Sequence, residues 1–143
     1  MNKIMGILML LVFACIATNI LSGGNFVIPF NLQNLMVRTS MFGIIGIGVA
    51  FVIITGGIDL SIGSMIGLIG CLMTLSLMKW EFSIATTLLI ILVVSVGLGV
   101  LHGVLITKAH LQPFVVTLCG LLIYRGAARW ITDDATGGFG QDY

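Results

Sequence analysis

One carboxylate, Asp59, stands alone among the first 80 residues, in the run Thr55-Gly56-Gly57-Ile58-Asp59-Leu60-Ser61-Ile62-Gly63-Ser64. Twenty uncharged residues precede it, back to Arg38, and nineteen follow it, up to Lys79. A charge near the centre of a membrane span costs about 2.5–3.5 kcal/mol on insertion scales. Such a residue sits at an interface, faces a protein interior, or does a job. The two adjacent glycines can leave helical geometry cheaply. Asp59 or Ser61 can then cap a helix that begins near Ile62, because both side chains accept hydrogen bonds from otherwise free backbone N–H groups. A carboxylate also suits the positive end of a helix dipole. The same pattern fits a broken helical segment beside a translocation pathway or gate, since non-helical backbone at membrane depth survives only where protein or water lines it. The two readings are compatible.

The remaining reactive residue types do not gather into a catalytic pattern. There is no P-loop, no His/Cys/carboxylate cluster at metal-ligand spacing and no nucleophile–base pair, so we expect neither an enzyme nor a cofactor, and any nucleotide would be bound by another chain. Cys15, Cys71 and Cys119 each lie inside an apolar run. Their odd number and spacing argue against a disulfide framework or a zinc site, and for small apolar packing residues. His102 lies three residues after Gly99 and reads as a hydrogen-bonded interior or interfacial histidine rather than a proton relay. His110, next but one to Lys108, reads as solvated.

These residues are carried by an apolar chain. It is 59% hydrophobic and 8% charged, with a mean hydropathy of +1.22, where a soluble domain carries about 25% charged residues. A chain of 143 residues could not bury so much apolar surface in a soluble core. The fold class is therefore an all-α, polytopic helical membrane protein with about 4–5 transmembrane segments. A net charge of +1 and the lack of a basic patch argue against a nucleic-acid partner.

The charges punctuate the chain at membrane dimensions, about 20 residues per span. The spans read as residues 4–21, 39–55, 62–78, 82–107 and 111–132. The first follows Lys3 and reads as a retained span, because no small-residue cleavage site follows it. Residues 22–37 read as a polar-to-amphipathic connection. The fourth span is long enough to require tilt. The fifth is either a half-helix entering the bundle or a span starting at Pro113, a residue that suits a helix start. Residues 133–143 read as a polar, glycine-rich tail. Lys3 and Lys108 fall on one side of this arrangement and Arg38 and Lys79 on the other, so the positive-inside rule does not choose an orientation.

Small residues recur at every fourth position. Gly63 and Gly67 form one such row, and Ser95, Gly99 and Gly103 another. Rows of this kind let helix backbones approach closely in lipid.

The stretch Val52-Ile53-Ile54-Thr55-Gly56-Gly57-Ile58-Asp59-Leu60-Ser61-Ile62-Gly63-Ser64 closely resembles the signature of ribose/xylose-type ABC transporter permeases. Phe30-Asn31-Leu32-Gln33-Asn34-Leu35, the stretch from Gly99 to Ile106, Gln112-Pro113-Phe114-Val115-Val116-Thr117-Leu118 and Tyr124-Arg125-Gly126 resemble further family stretches in the same order. His102-Gly103 stands where the family commonly has asparagine–glycine. Family members are much longer, and the chain resembles their N-terminal half: a fragment, a frameshifted product or a split subunit.

The resemblance implies a multi-pass permease of the bacterial inner membrane. Two copies would pair with two ATPase subunits, and a periplasmic or lipid-anchored binding protein would deliver a monosaccharide. It implies no catalytic residues, and a pathway or gate shaped by Gly56, Gly57, Asp59, Ser61 and Ser64. A truncated product without transport activity, and a small helical channel or membrane interaction protein, are the alternatives.

Overall fold

The computed structural model describes residues 3–133; most of the polar tail lies outside them. All regular structure among the described residues is helical: α1 Lys3–Leu21, a one-turn 3-10 helix Asn25–Val27, α2 Pro29–Ile54, α3 Ile62–Met78, α4 Ile84–Thr107 and α5 Pro113–Ile131. Four of these, α1, α2, α4 and α5, are long and apolar enough to cross a membrane. The chain is an all-α polytopic membrane protein. At 17 residues, α3 is about 25 Å long, short of the roughly 30 Å of hydrocarbon.

The helix boundaries follow local chemistry. α2 begins at Pro29, not at residue 39, so the connection read over 22–37 shrinks to residues 22–28. Ile28 is extended, at φ −60° and ψ 137°, as a residue before proline prefers. The amide of Asn31 donates to the Phe26 carbonyl at 2.8 Å, which ties the first turn of α2 to the chain before it. Asn31, Gln33 and Asn34 lie on the first turns of α2 rather than in a loop. α4 starts at Ser83, whose hydroxyl accepts from the Thr86 N–H at 3.2 Å, a side-chain N-cap. α5 has Pro113 in its first turn, so the segment read as a half-helix or a span from Pro113 is a helix of span length.

Packing divides the chain into two units, Met1–Ala50 and Phe51–Tyr143. The first contains α1 and most of α2, and α1 packs on the 3-10 turn. In the second, α3 packs chiefly on α5 and also on α4, which itself touches α5. The start of α3 lies beside the first half of α5, and its end shares a groove with the end of α5 (Leu72, Leu75 and Lys79 with Trp130 and Ile131). The two helices therefore run parallel, and α4 returns between their ends.

The second unit has the polarity of a membrane protein. Its buried apolar residues are Leu68, Leu77, Val116 and Tyr124, and its buried polar ones are Ser61, Ser76, Thr87, His102 and Thr117. Large aliphatic side chains cover the outside, such as Leu89, Leu92, Val93 and Leu122. In water such a surface would aggregate; in lipid it is matched to its solvent.

Candidate functional site

The site is the break between α2 and α3. α2 ends when Gly56, at φ +77°, takes the left-handed conformation. The Gly56 N–H donates to Ile53 O at 2.9 Å and the Gly57 N–H to Val52 O at 3.0 Å. This pair of bonds is the Schellman closure, with glycine where an L side chain would be strained. Gly57 serves a different end. A Cβ there would lie 3.2 Å from the Val52 Cγ1, 3.3 Å from the Val52 carbonyl oxygen and 3.8 Å from the Pro113 Cβ. The first glycine supplies a backbone angle and the second supplies room.

Asp59 does not cap the interior of α3. Its Oδ1 accepts from the Ser61 N–H at 2.8 Å and from the Ser61 hydroxyl at 2.6 Å, closing a tight turn just before the helix. Ser61 holds the N-cap position, but its side chain makes no cap bond: its backbone is already helical, at φ −82° and ψ −14°, and its hydroxyl is turned toward Asp59 rather than toward the N–H groups of the first turn, where a cap must accept. The Ser61 carbonyl accepts from the Met65 N–H at 2.8 Å and from the Ser64 hydroxyl at 2.7 Å. Asp59, Ser61 and Ser64 are thus linked through Ser61, which is fully buried, and Asp59 is half-buried.

α5 carries the wall behind the turn. The Thr117 hydroxyl lies 2.9 Å from Pro113 O, within its own helix, and 3.1 Å from Ile58 O in the break. One proton serves both acceptors, so Thr117 gives a non-helical carbonyl a partner at membrane depth, as apolar surroundings demand. A Cβ on Gly120 would lie 3.3 Å from the Ser61 Cβ. Thr117 and Gly120 are four and seven residues beyond Pro113, so the turn lies about 6–10 Å inside the end of α5. The carboxylate is set into the bundle, not at the helix ends.

His102 reaches the same place from α4. It is buried, and its Nε2 lies 2.9 Å from the Tyr124 hydroxyl. It is an interior hydrogen-bonded histidine. A Cβ on Gly120 would come within 2.6 Å of His102 Nε2, so Gly120 is the tight helix contact of this unit. The rows read as contact faces are open here: a Cβ on Gly63, Gly67, Gly99 or Gly103 meets nothing within 4 Å, and Ser95 is half-buried. The wall residues Thr117, Gly120 and Tyr124 were not singled out from spacing. With Pro113 they step by four, three and four along one face of α5, and that periodicity was the available signal.

A family profile described as branched-chain amino acid transport system / permease component matches residues 31–142, which include the whole break and its α5 wall. The chain belongs to this permease family. Among its curated relatives is the xylose transport system permease protein XylH of Haemophilus influenzae, 31% identical over 93% of this chain and 34% of the relative. XylH of Escherichia coli is 34% identical over 79% of the chain and 29% of the relative. The ribose import permease protein RbsC of Haemophilus influenzae is 35% identical over 72% of the chain and 32% of the relative. The chain spans about a third of the length of these relatives. No solved structure matches it. With its apolar helices, this permease-family chain is a multi-pass protein of the bacterial inner membrane.

Proposed function

We propose that the chain is a membrane-spanning permease subunit of an ATP-binding-cassette importer for a monosaccharide of the xylose or ribose type. The observation that carries this reading is its similarity, over most of its length, to permeases named for xylose and ribose. The profile's own description names branched-chain amino acids, so the sugar assignment rests on the individual relatives. The inset turn supports the reading physically: a half-buried carboxylate beside an interrupted helix suits a path or gate better than a lipid-facing surface. The chain then needs a separate ATPase subunit, a periplasmic or lipid-anchored sugar-binding protein and a second permease copy. Gly56, Gly57, Asp59, Ser61 and Ser64 shape the gate, and the open positions Gly63, Gly67, Gly99 and Gly103, with half-buried Ser95 on the same row as the last two, leave room for helices of the assembly. The spans 4–21, 39–55, 62–78, 82–107 and 111–132, with α2 extended back to Pro29, make up its transmembrane region.

Deleting the gene in its native host and measuring uptake of radiolabelled xylose and ribose tests this. We expect uptake of one of them to fall, to return with the wild-type gene, and to return only weakly with Asp59→Asn at equal protein level. Unchanged uptake of both sugars would reject the reading, leaving a non-transporting product. Ion conductance from the purified chain in planar bilayers would favour a small helical channel instead.

A further inference from the structure

Three residues of the α5 face, Pro113, Thr117 and Gly120, touch the break directly, whereas the fourth, Tyr124, touches His102. The imidazole lies across the Gly120 backbone, with Nε2 at 2.6 Å and Cε1 at 2.8 Å from the position a Cβ would take, and the Ser61 Cβ lies 3.3 Å from that same position. His102 and Ser61 therefore face the same point of the α5 backbone, at a glycine. The Tyr124 and His102 rings are stacked, with centroids 5.5 Å apart and planes inclined by 23°. Both side chains are buried. In a dry interior each polar end needs a partner, and each supplies the other's. That bond fixes the ring's rotation, which an apolar side chain of similar size would leave to packing alone.

We propose that His102 and Tyr124 are positioning residues that hold the Asp59–Ser61 turn on α5. Tyr124 orients the imidazole; the imidazole bears on Gly120, against which Ser61 also sits; Ser61 carries the two bonds that set Asp59. The start of α3, the end region of α4 and the middle of α5 are locked at one point. Any consequence for sugar uptake rests on the permease reading, but the lock itself is a property of this chain and can fail separately.

The test is cysteine labelling of the purified full chain in detergent, after Cys15, Cys71 and Cys119 have been changed to serine. Leu60→Cys reports on the turn, and Met78→Cys reports on the far end of α3. Tyr124→Phe removes the bond but keeps the ring, and should raise the maleimide labelling rate at position 60 about five- to tenfold, the opening expected from one lost buried hydrogen bond. His102→Ala should raise it at least as much. Gly120→Ala should also raise it, and the double variant Gly120→Ala/His102→Ala should label more slowly than the two single effects combined would give, since the added methyl group then has no imidazole to displace and meets only the Ser61 Cβ. The rate at position 78 should stay within about twofold throughout. Unchanged labelling at position 60 in Tyr124→Phe and His102→Ala overturns the proposal. So does a parallel rise at position 78, which would mean general loosening, or a double variant in which the two effects add.

Discussion

Asp59 accepts two hydrogen bonds from a single residue, Ser61, through one oxygen. Bonds to a charged acceptor are worth about 1.5–3 kcal/mol each in favourable cases, and both are lost together in Asp59→Ala. We expect that variant to lose about 1–3 kcal/mol of stability, seen as a lower thermal midpoint of the purified chain in detergent. Asp59→Asn, which keeps an oxygen able to accept from the Ser61 N–H, should lose less. Thr117→Val is isosteric and removes the donor to Ile58 O; we expect a cost of about 1 kcal/mol in the same measurement. The presence of a special residue at position 59 is legible in sequence, because a lone carboxylate between two apolar runs requires an explanation. Its partner is not. The cap expectation fails because Ser61 is already in helical geometry, and its N–H and hydroxyl both turn to Asp59, which leaves the hydroxyl oxygen away from the N–H groups a cap would accept from.

At the scale of the elements, two features decide where α2 stops and α4 starts, and each is a local device. Gly56→Ala places a Cβ at φ +77° and should cost about 1–2 kcal/mol, while Gly56→Asn should cost less, because asparagine tolerates that conformation better. Ser83→Ala removes the only side-chain cap at the start of α4 and should cost about 0.5–2 kcal/mol; thermal unfolding of the three variants side by side checks the order. The break and the start at Pro113 are readable because glycine pairs and proline act on their immediate neighbours. The early start of α2 is not read, since Asn31, Gln33 and Asn34 suggest a loop by polarity alone. A helix tolerates polar residues in its first turns, where they remain accessible: Gln33 and Asn34 are exposed.

At the scale of the molecule, Trp80 and Trp130 line the same groove with Lys79 and Asp133, where α3 and α5 end together. Both tryptophans are exposed, at 47% and 79%. Indole rings beside charged residues at one end of a helical unit mark a membrane–water boundary. In vesicles containing brominated lipids, tryptophan fluorescence should be quenched most by bromines near the headgroups and least by bromines at the bilayer centre. Stronger quenching by the deep bromines would place this end inside the hydrocarbon and contradict the assignment. The opposite boundary then falls near Lys108 and Gln112, which puts the Asp59 turn below the surface along α5.

By itself the sequence determines a helical membrane protein, a glycine-broken segment around Asp59, a proline-started last helix and membership of a sugar-permease-like pattern. These are properties of composition, short-range backbone sterics and contiguous motifs, all carried by neighbouring residues. The tertiary structure alone decides that Asp59 bonds Ser61, that Thr117 serves Ile58, and that His102, Gly120 and Tyr124 close over the turn. It also decides that Gly120, rather than the regular rows at Gly63 and Gly99, is where side chains of the neighbouring elements press on a helix backbone. Those pairings join positions up to 59 residues apart. In an interior where nearly every candidate residue is apolar or small, only the packing of α3, α4 and α5 selects which ones meet.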